Sequence, residues 1–156
     1  MKTDRRHEKE EALARKAAMA ALANAPGETL KALWDEAGLP REAQRLRGPE
    51  TGLVTVRGRI GGGGAPFNFG EATVTRATVR VDGGTVGHAY ALGRDKDKAL
   101  LSAIADALWQ DASRRDDIET KIIAPLRAAQ AEADDRRRAE TAATKVDFFT
   151  MVRGED

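Results

Sequence analysis

An α+β architecture is expected from this sequence: an antiparallel β-meander of three to four strands packed with helices, N-terminal helices before it, and a long C-terminal helix plus an apolar tail after it. Three features carry that expectation. Apolar residues fall at helical spacing ahead of position 48, glycine, threonine and valine with a period near two dominate from Leu53 to Gly93, and helical patterning returns after Asp95. The 156 residues suit a single domain, 1–156, organised as 1–48 (N-terminal helices), 50–112 (sheet and covering helix) and 114–156 (C-terminal helices and a partner-docking tail).

The first element spans Asp4 to Asn24, alanine-rich and charged, with Leu13, Met19 and Leu22 as its only large apolar residues. It reads as a weakly amphipathic helix that Pro26 ends. Leu30, Leu33, Trp34 and Ala37 then recur at helical spacing; Gly38 supplies a left-handed stop and Pro40 prevents continuation, so a second and better-buried helix follows. The first strand is expected from Leu53 to Ile60, a turn at Gly61 to Gly64 with Pro66, and a short strand at Phe67 to Phe69. Ala72 to Val81 is the clearest strand. Asp82, Gly83 and Gly84 suit a tight hairpin, and the return strand runs from Thr85 to Ala91.

Asp95 can cap the next helix, and Asp97 suits the positive end of its dipole. Leu100, Leu101, Ile104, Ala105 and Leu108 form an apolar stripe expected to cover one sheet face. Ile118, Ile122 and Ile123 extend the pattern to Pro125, which either kinks a long helix or opens a new one at its first turn. From Arg127 to Lys145 no large apolar residue appears, so burial cannot hold this helix to a core. The segment ends in Val146, Phe148, Phe149, Met151 and Val152. That tail requires a receptor, and docking onto another chain is the preferred reading over folding back.

Composition excludes several functions. The net charge of +1 supplies no global field for nucleic acid or anionic lipid. No apolar run approaches the roughly 20 residues that span a bilayer, and no signal-peptide segment follows the charged opening Met1 to Glu11, which points to the cytoplasm. Cysteine is absent, which removes disulfides, thiolate nucleophiles and cysteine-bound metal; His7 and His88 alone are too few for a transition-metal site. With two tryptophans, one tyrosine and four phenylalanines, the core is expected to be thin.

The chemical candidates each have a plainer explanation. Gly61 to Gly64 suggests a phosphate cradle, but such a loop leads into a helix, whereas Pro66 to Phe69 suggests another strand. Arg76 and Arg80 share a strand face with Val74 and Thr78, while Thr75, Ala77, Val79 and Val81 form the core face. Their guanidinium forks suit phosphate or partner carboxylates, and solvated arginines are the commoner case. His88 shares a face with Val86 and Tyr90. A general base needs a positioned nucleophile, and Ser102 and Ser113 are both expected in helices. Arg94, Asp95 and Lys96 could hold a charged ligand, although capping accounts for Asp95.

Read together, several segments resemble the PhnG subunit family of the bacterial carbon-phosphorus lyase system. The closing Val146-Asp147-Phe148-Phe149-Thr150-Met151-Val152-Arg153-Gly154 is similar to that family's terminal signature. Glu50-Thr51-Gly52-Leu53-Val54, Gly70-Glu71-Ala72-Thr73-Val74-Thr75-Arg76-Ala77 and Gly93-Arg94-Asp95-Lys96 are similar to its internal ones. The resemblance implies a hetero-oligomeric core assembly with PhnH, PhnI and PhnJ, acting functionally with PhnL. It implies a part in alpha-D-ribose 1-methylphosphonate 5-triphosphate synthase, where a phosphonate displaces adenine from MgATP. The displacement chemistry is assigned to PhnI; the later radical cleavage, with S-adenosylmethionine and an iron-sulfur cluster, belongs to PhnJ. No catalytic residue, cofactor or metal ligand carries over to this chain.

The expected role is therefore a structural and assembly subunit, with Val146, Phe148, Phe149, Met151 and Val152 as partner-binding residues. Arg76, Arg80, His88 and Arg94 are the anion or interface candidates. The alternative is a self-sufficient phosphate- or nucleotide-binding enzyme using Arg76, Arg80 and Arg94 with His88. A regulatory module acting through an exposed strand edge is a third possibility.

Overall fold

The computed structural model describes residues 2–60 and 63–144 of the chain. Helix α1 (Lys2–Asn24) buries Ala18, Ala21 and Leu22, and alanine's small volume lets it lie close to its neighbours. Pro26 takes an extended conformation that ends α1 and leads into α2 (Gly27–Ala37). Leu30 and Trp34, four residues apart on one face, are fully buried. Gly38 closes α2 at φ +60°, returning its amide to Asp35 and Trp34, and the Trp34 indole N–H donates to the Leu39 carbonyl at 3.1 Å.

One sheet follows, in the order β1-β2-β3, built from β1 (Gln44–Gly58), β2 (Phe67–Arg80) and β3 (Val86–Leu92), all antiparallel. The expected meander is present, with two corrections. Strand β1 starts at Gln44, not Leu53, and Ile60 lies beyond its end. Arg45, Arg47, Gly48 and Pro49 show no apolar alternation; pairing with β2 makes them a strand, and register shifts absorb Pro49 at the sheet edge. The short strand at Phe67 to Phe69 and the strand from Ala72 are one, because Gly70 pairs with Val56 and continues the ladder. Between β2 and β3, Gly83 and Gly84 adopt φ of +95° and +87°, as the tight turn requires. Thr75, Ala77 and Val79 point into the core, as their alternation predicts.

Helix α3 (Lys96–Gln110) is capped by the Asp95 side chain, which accepts from the Lys98 amide at 2.8 Å. The expected apolar stripe understates its role. Every residue from Ala99 to Trp109 except Leu100 is buried, because the sheet, α1, α2 and the next helix surround α3 on several sides. Alanines 99, 103, 105 and 107 are wholly inaccessible, and Gly87 on β3 lies against the α3 backbone at Ala103 and Ala107. Small residues on both surfaces permit that close approach.

A turn holds Ser113, whose amide and hydroxyl both donate to Asp111, so Ser113 is not helical as expected. Asp111 has a lowered pKa because Ser113 hydrogen-bonds its carboxylate. Helix α4 (Arg115–Ile118), a π-helical turn (Glu119–Ile123) and α5 (Ala124–Ala143) then run continuously. Pro125 has no N–H to return to the preceding turn, and Ala124 bonds back five residues to Glu119; the proline resets the helix without stopping it. Ile118, Ile122, Ile123 and Leu126 are buried, and from Arg127 onward α5 is largely exposed, as its polar composition predicts.

Lys98 is an unusual member of this core. Its ammonium donates to the Ala23 carbonyl at 2.7 Å, tying the start of α3 to the last turn of α1. Burial pushes its pKa down, partly offset by Asp95. The unfolded chain therefore holds this proton more tightly than the folded one. Between the lowered folded value and about 10.4, the ordinary lysine value, stability rises with pH, and below that window the desolvation cost is fully present. Urea denaturation at a series of alkaline pH values is expected to show a flatter rise for Lys98→Met than for the wild type; parallel profiles would remove Lys98 as the cause.

Candidate functional site

The outer face of the sheet gathers three of the four residues singled out for anion binding or interfaces. Arg76, opposite Tyr90 and Glu50, donates through Nε to the Glu50 carboxylate at 2.7 Å. Its pKa is raised by that bond and then by Tyr90. Arg80 reaches its cross-strand partner Gln44 at 3.5 Å. His88 stands opposite Thr78, with 3.3 Å between His88 Nδ1 and the Thr78 hydroxyl. Arg94 is elsewhere, on the exposed bend between β3 and α3. Arg76 already has a carboxylate, which weakens the case for a phosphate there. The cleft around Arg76, Glu50 and Tyr90 is about 190 Å³, below the roughly 300–1,000 Å³ of small-molecule sites.

Neither serine candidate hydrogen-bonds His88 among the described residues, although Ser102 and His88 border the same cavity. Ser102 lies in α3 with its hydroxyl buried and unpartnered among the described residues, and Ser113 is engaged by Asp111. The tetraglycine connects β1 to β2, so its context is strand to strand; Gly61 and Gly62 lie outside the described residues. Among the described residues, no group of three His, Asp or Glu side chains could hold a metal ion, and no helix is long and apolar enough to cross a membrane. The partner-binding candidates Val146, Phe148, Phe149, Met151 and Val152 lie outside the described residues.

A larger feature was hidden in the pattern. Strand β2 has 14 residues, about 46 Å at strand rise, whereas the 15 residues of α3 reach about 22 Å. Strand β3 pairs only with Val74 to Arg80, so the outer half of β1 and β2 is a two-stranded ribbon extending past the helical layer. This ribbon leaves Leu53 64%, Phe69 60% and Phe67 42% exposed, with Ile60 81% exposed beyond its strand. The Phe67 and Phe69 rings are 6.3 Å apart, and Phe69 packs over Gly58, where an added Cβ would come within 2.7 Å of the ring. An aromatic ring covering a cross-strand glycine stiffens the ribbon. Spacing indicated strands here. The register shift between Val56 and Arg57 turns Phe69 onto the Gly58 face, away from the face that α3 covers, and no local pattern encodes that shift.

A second missed group is internal. Asp106, 2% exposed, accepts from Arg15 Nε and Nη2 and from the His88 amide, each at 2.8 Å, and from Gln110 at 3.4 Å. It joins α1, β3 and α3. An aspartate in an alanine-rich helix reads as a solvent position, and only the neighbouring apolar residues at 103 to 105 signal otherwise. What this arrangement offers is a rigid platform with uncovered surfaces. Among the described residues, the one hydroxyl within hydrogen-bond distance of His88 is that of Thr78, on the exposed outer face of the sheet.

Two matches to known proteins give the family. The family described as "Phosphonate metabolism protein PhnG" matches residues 13–154. The alpha-D-ribose 1-methylphosphonate 5-triphosphate synthase subunit PhnG of Rhizobium meliloti (strain 1021) is 56% identical over 143 residues, covering 91% of this chain and 90% of the relative. The family match takes in the second half of α1 and every segment from Glu50 to Gly154 noted above, and the chain belongs to the PhnG family of phosphonate metabolism proteins.

Proposed function

We propose that this chain is an assembly subunit of the carbon-phosphorus lyase core complex in the cytoplasm, associating with PhnH, PhnI and PhnJ and working with PhnL. In that reading the complex forms a ribose 1-phosphonate 5-triphosphate from MgATP and a phosphonate with release of adenine. PhnI carries the displacement, and PhnJ carries the S-adenosylmethionine and iron-sulfur chemistry. This chain supplies surfaces. The observation that carries the proposal is the exposed ring pair Phe67 and Phe69 on the ribbon, 6.3 Å apart, because a stable lone protein rarely leaves paired aromatic rings uncovered in water. The subunit designation of the Rhizobium meliloti relative supports it.

The ribbon and the tail are proposed as separate docking elements. Phe67→Ser with Phe69→Ser is expected to leave the circular dichroism of the isolated chain intact while reducing co-purification with PhnI at least about tenfold, since buried aromatic anchors dominate interfaces. Deleting Asp147 to Asp156 is expected to leave the domain folded and abolish co-purification with PhnI. Assembly at the wild-type level in both variants would overturn the reading. Calorimetry with ATP and a phosphonate tests the self-sufficient enzyme reading, which requires micromolar binding and turnover by the isolated chain.

A further inference from the structure

The sheet has a gap beside β3. In an antiparallel pair, alternate residues turn both backbone groups toward the partner strand and the others turn them away. The His88 amide bonds Asp106 and the Val86 carbonyl accepts from Gln110 at 2.9 Å, so Val86, His88, Tyr90 and Leu92 face the outer edge. Side chains from α3 therefore satisfy the first half of that edge. Among the described residues, nothing pairs with the Tyr90 N–H and C=O.

Helix α1 lies alongside this open half. Arg15 bonds Asp106 near one end of α3 and Lys98 bonds Ala23 near the other, so α1 runs antiparallel to α3 and borders β3. Between them is a cavity of about 280 Å³ bounded by Lys16, Met19 and Ala20 on α1 and by His88 and Tyr90 on β3. Ser102, 3% exposed, also lines it, and its hydroxyl has no partner among the described residues. The two ionisable lining groups besides Tyr90 are basic, Lys16 and His88, and no carboxylate lines the cavity.

We infer that an extended strand from another subunit of the complex pairs with β3 at Tyr90 and Leu92, placing an apolar side chain in the α1-β3 groove and a carboxylate beside Lys16. This rests on the reading of the chain as a complex subunit. The open backbone groups call for a polypeptide, since strand addition satisfies them in register. The apolar walls favour a side chain over a phosphorylated metabolite, whose charges need polar partners. The absence of acidic lining groups sets the sign of the occupant's charge. Edge strands left open in this way are joined by a further strand unless something blocks them.

The test uses the cysteine-free sequence. Ala20 is an exposed groove residue, so Ala20→Cys gives one addressable thiol in the full chain. A benzophenone attached there, in the complex reconstituted from purified subunits, is expected to cross-link a partner-subunit peptide containing a carboxylate residue. Exchange of the Tyr90 and Leu92 amides should slow at least about tenfold on assembly. Lys16→Glu should weaken assembly about three- to tenfold while the isolated chain unfolds at an unchanged denaturant concentration, because the exposed lysine gives way to a charge that repels the incoming carboxylate. A merely structural lysine would not separate the two readouts. Cross-linking to a second copy, to this chain's own residues 146–152, or to nothing within an assembled complex would overturn the inference and leave the subunit reading intact. Failure of any complex to form would overturn both.

Discussion

Asp106→Ala is expected to destabilise the isolated chain by about 2–3 kcal/mol, mainly through the backbone donor it orphans, because Arg15 is a third exposed and can return to water. The substitution leaves more than a small void. Arg15 loses a bidentate partner that holds its guanidinium charge in place and raises its pKa. The His88 amide loses its acceptor at the β3 edge, and an orphaned backbone donor adds its own desolvation cost. Because these bonds come from α1 and β3 to a residue on α3, the loss loosens all three elements at once. Asp106→Asn, which keeps the shape and one acceptor oxygen, is expected to fall between alanine and the wild type. Urea denaturation followed by tryptophan fluorescence measures both, with Trp34 and Trp109 buried in the same core. A cost below about 1 kcal/mol for alanine would show that the pair behaves as an exposed surface bridge.

Gly87→Ala is expected to be comparably damaging, at least about 3 kcal/mol, the upper end of overpacking costs. A methyl group built at Gly87 would lie 2.0 Å from the Ala103 carbonyl oxygen and 2.5 Å from the Ala107 amide nitrogen. Both obstacles are helix backbone, which cannot turn aside as a side chain can. Relief requires α3 to lift from the sheet, and the alanine contacts along α3 separate with it. Gly52→Ala is the control: Gly52 has open space and no left-handed backbone, so alanine there is expected to be neutral or to gain about 0.4–1 kcal/mol. Equal melting temperatures for the two variants would refute the close-packing account.

The legible parts of the fold were those written in short-range chemistry. Gly38, the Gly83-Gly84 pair and Asp95 each specify a local backbone event, and each performs it. The Thr75, Ala77, Val79 alternation likewise identifies the core face. Strand β1 was legible only in part, because Arg45 to Pro49 are extended through their neighbour and carry no signal of their own. Lys98 and Asp106 are charged residues inside a buried helix, and their partners at Ala23 and Arg15 lie 75 and 91 positions away. No window of sequence contains both members. Of the candidate residues, Arg76, Arg80 and His88 share the face that alternation assigned them, whereas Arg94 does not join them. The ribbon escaped notice because Phe67 and Phe69 share the parity of Thr75, Ala77 and Val79, and only the register shift beside them turns Phe69 to the other face.

That mismatch in reach matters before any complex exists. A copy emerging from the ribosome carries uncovered rings on a paired ribbon, a surface that associates indiscriminately until something covers it. Each newly made molecule is thus in a race between capture by its mates and clumping or digestion. If the chain acts as the proposed complex subunit, balanced synthesis of all the components is expected to set how much of it survives, alongside its own robustness.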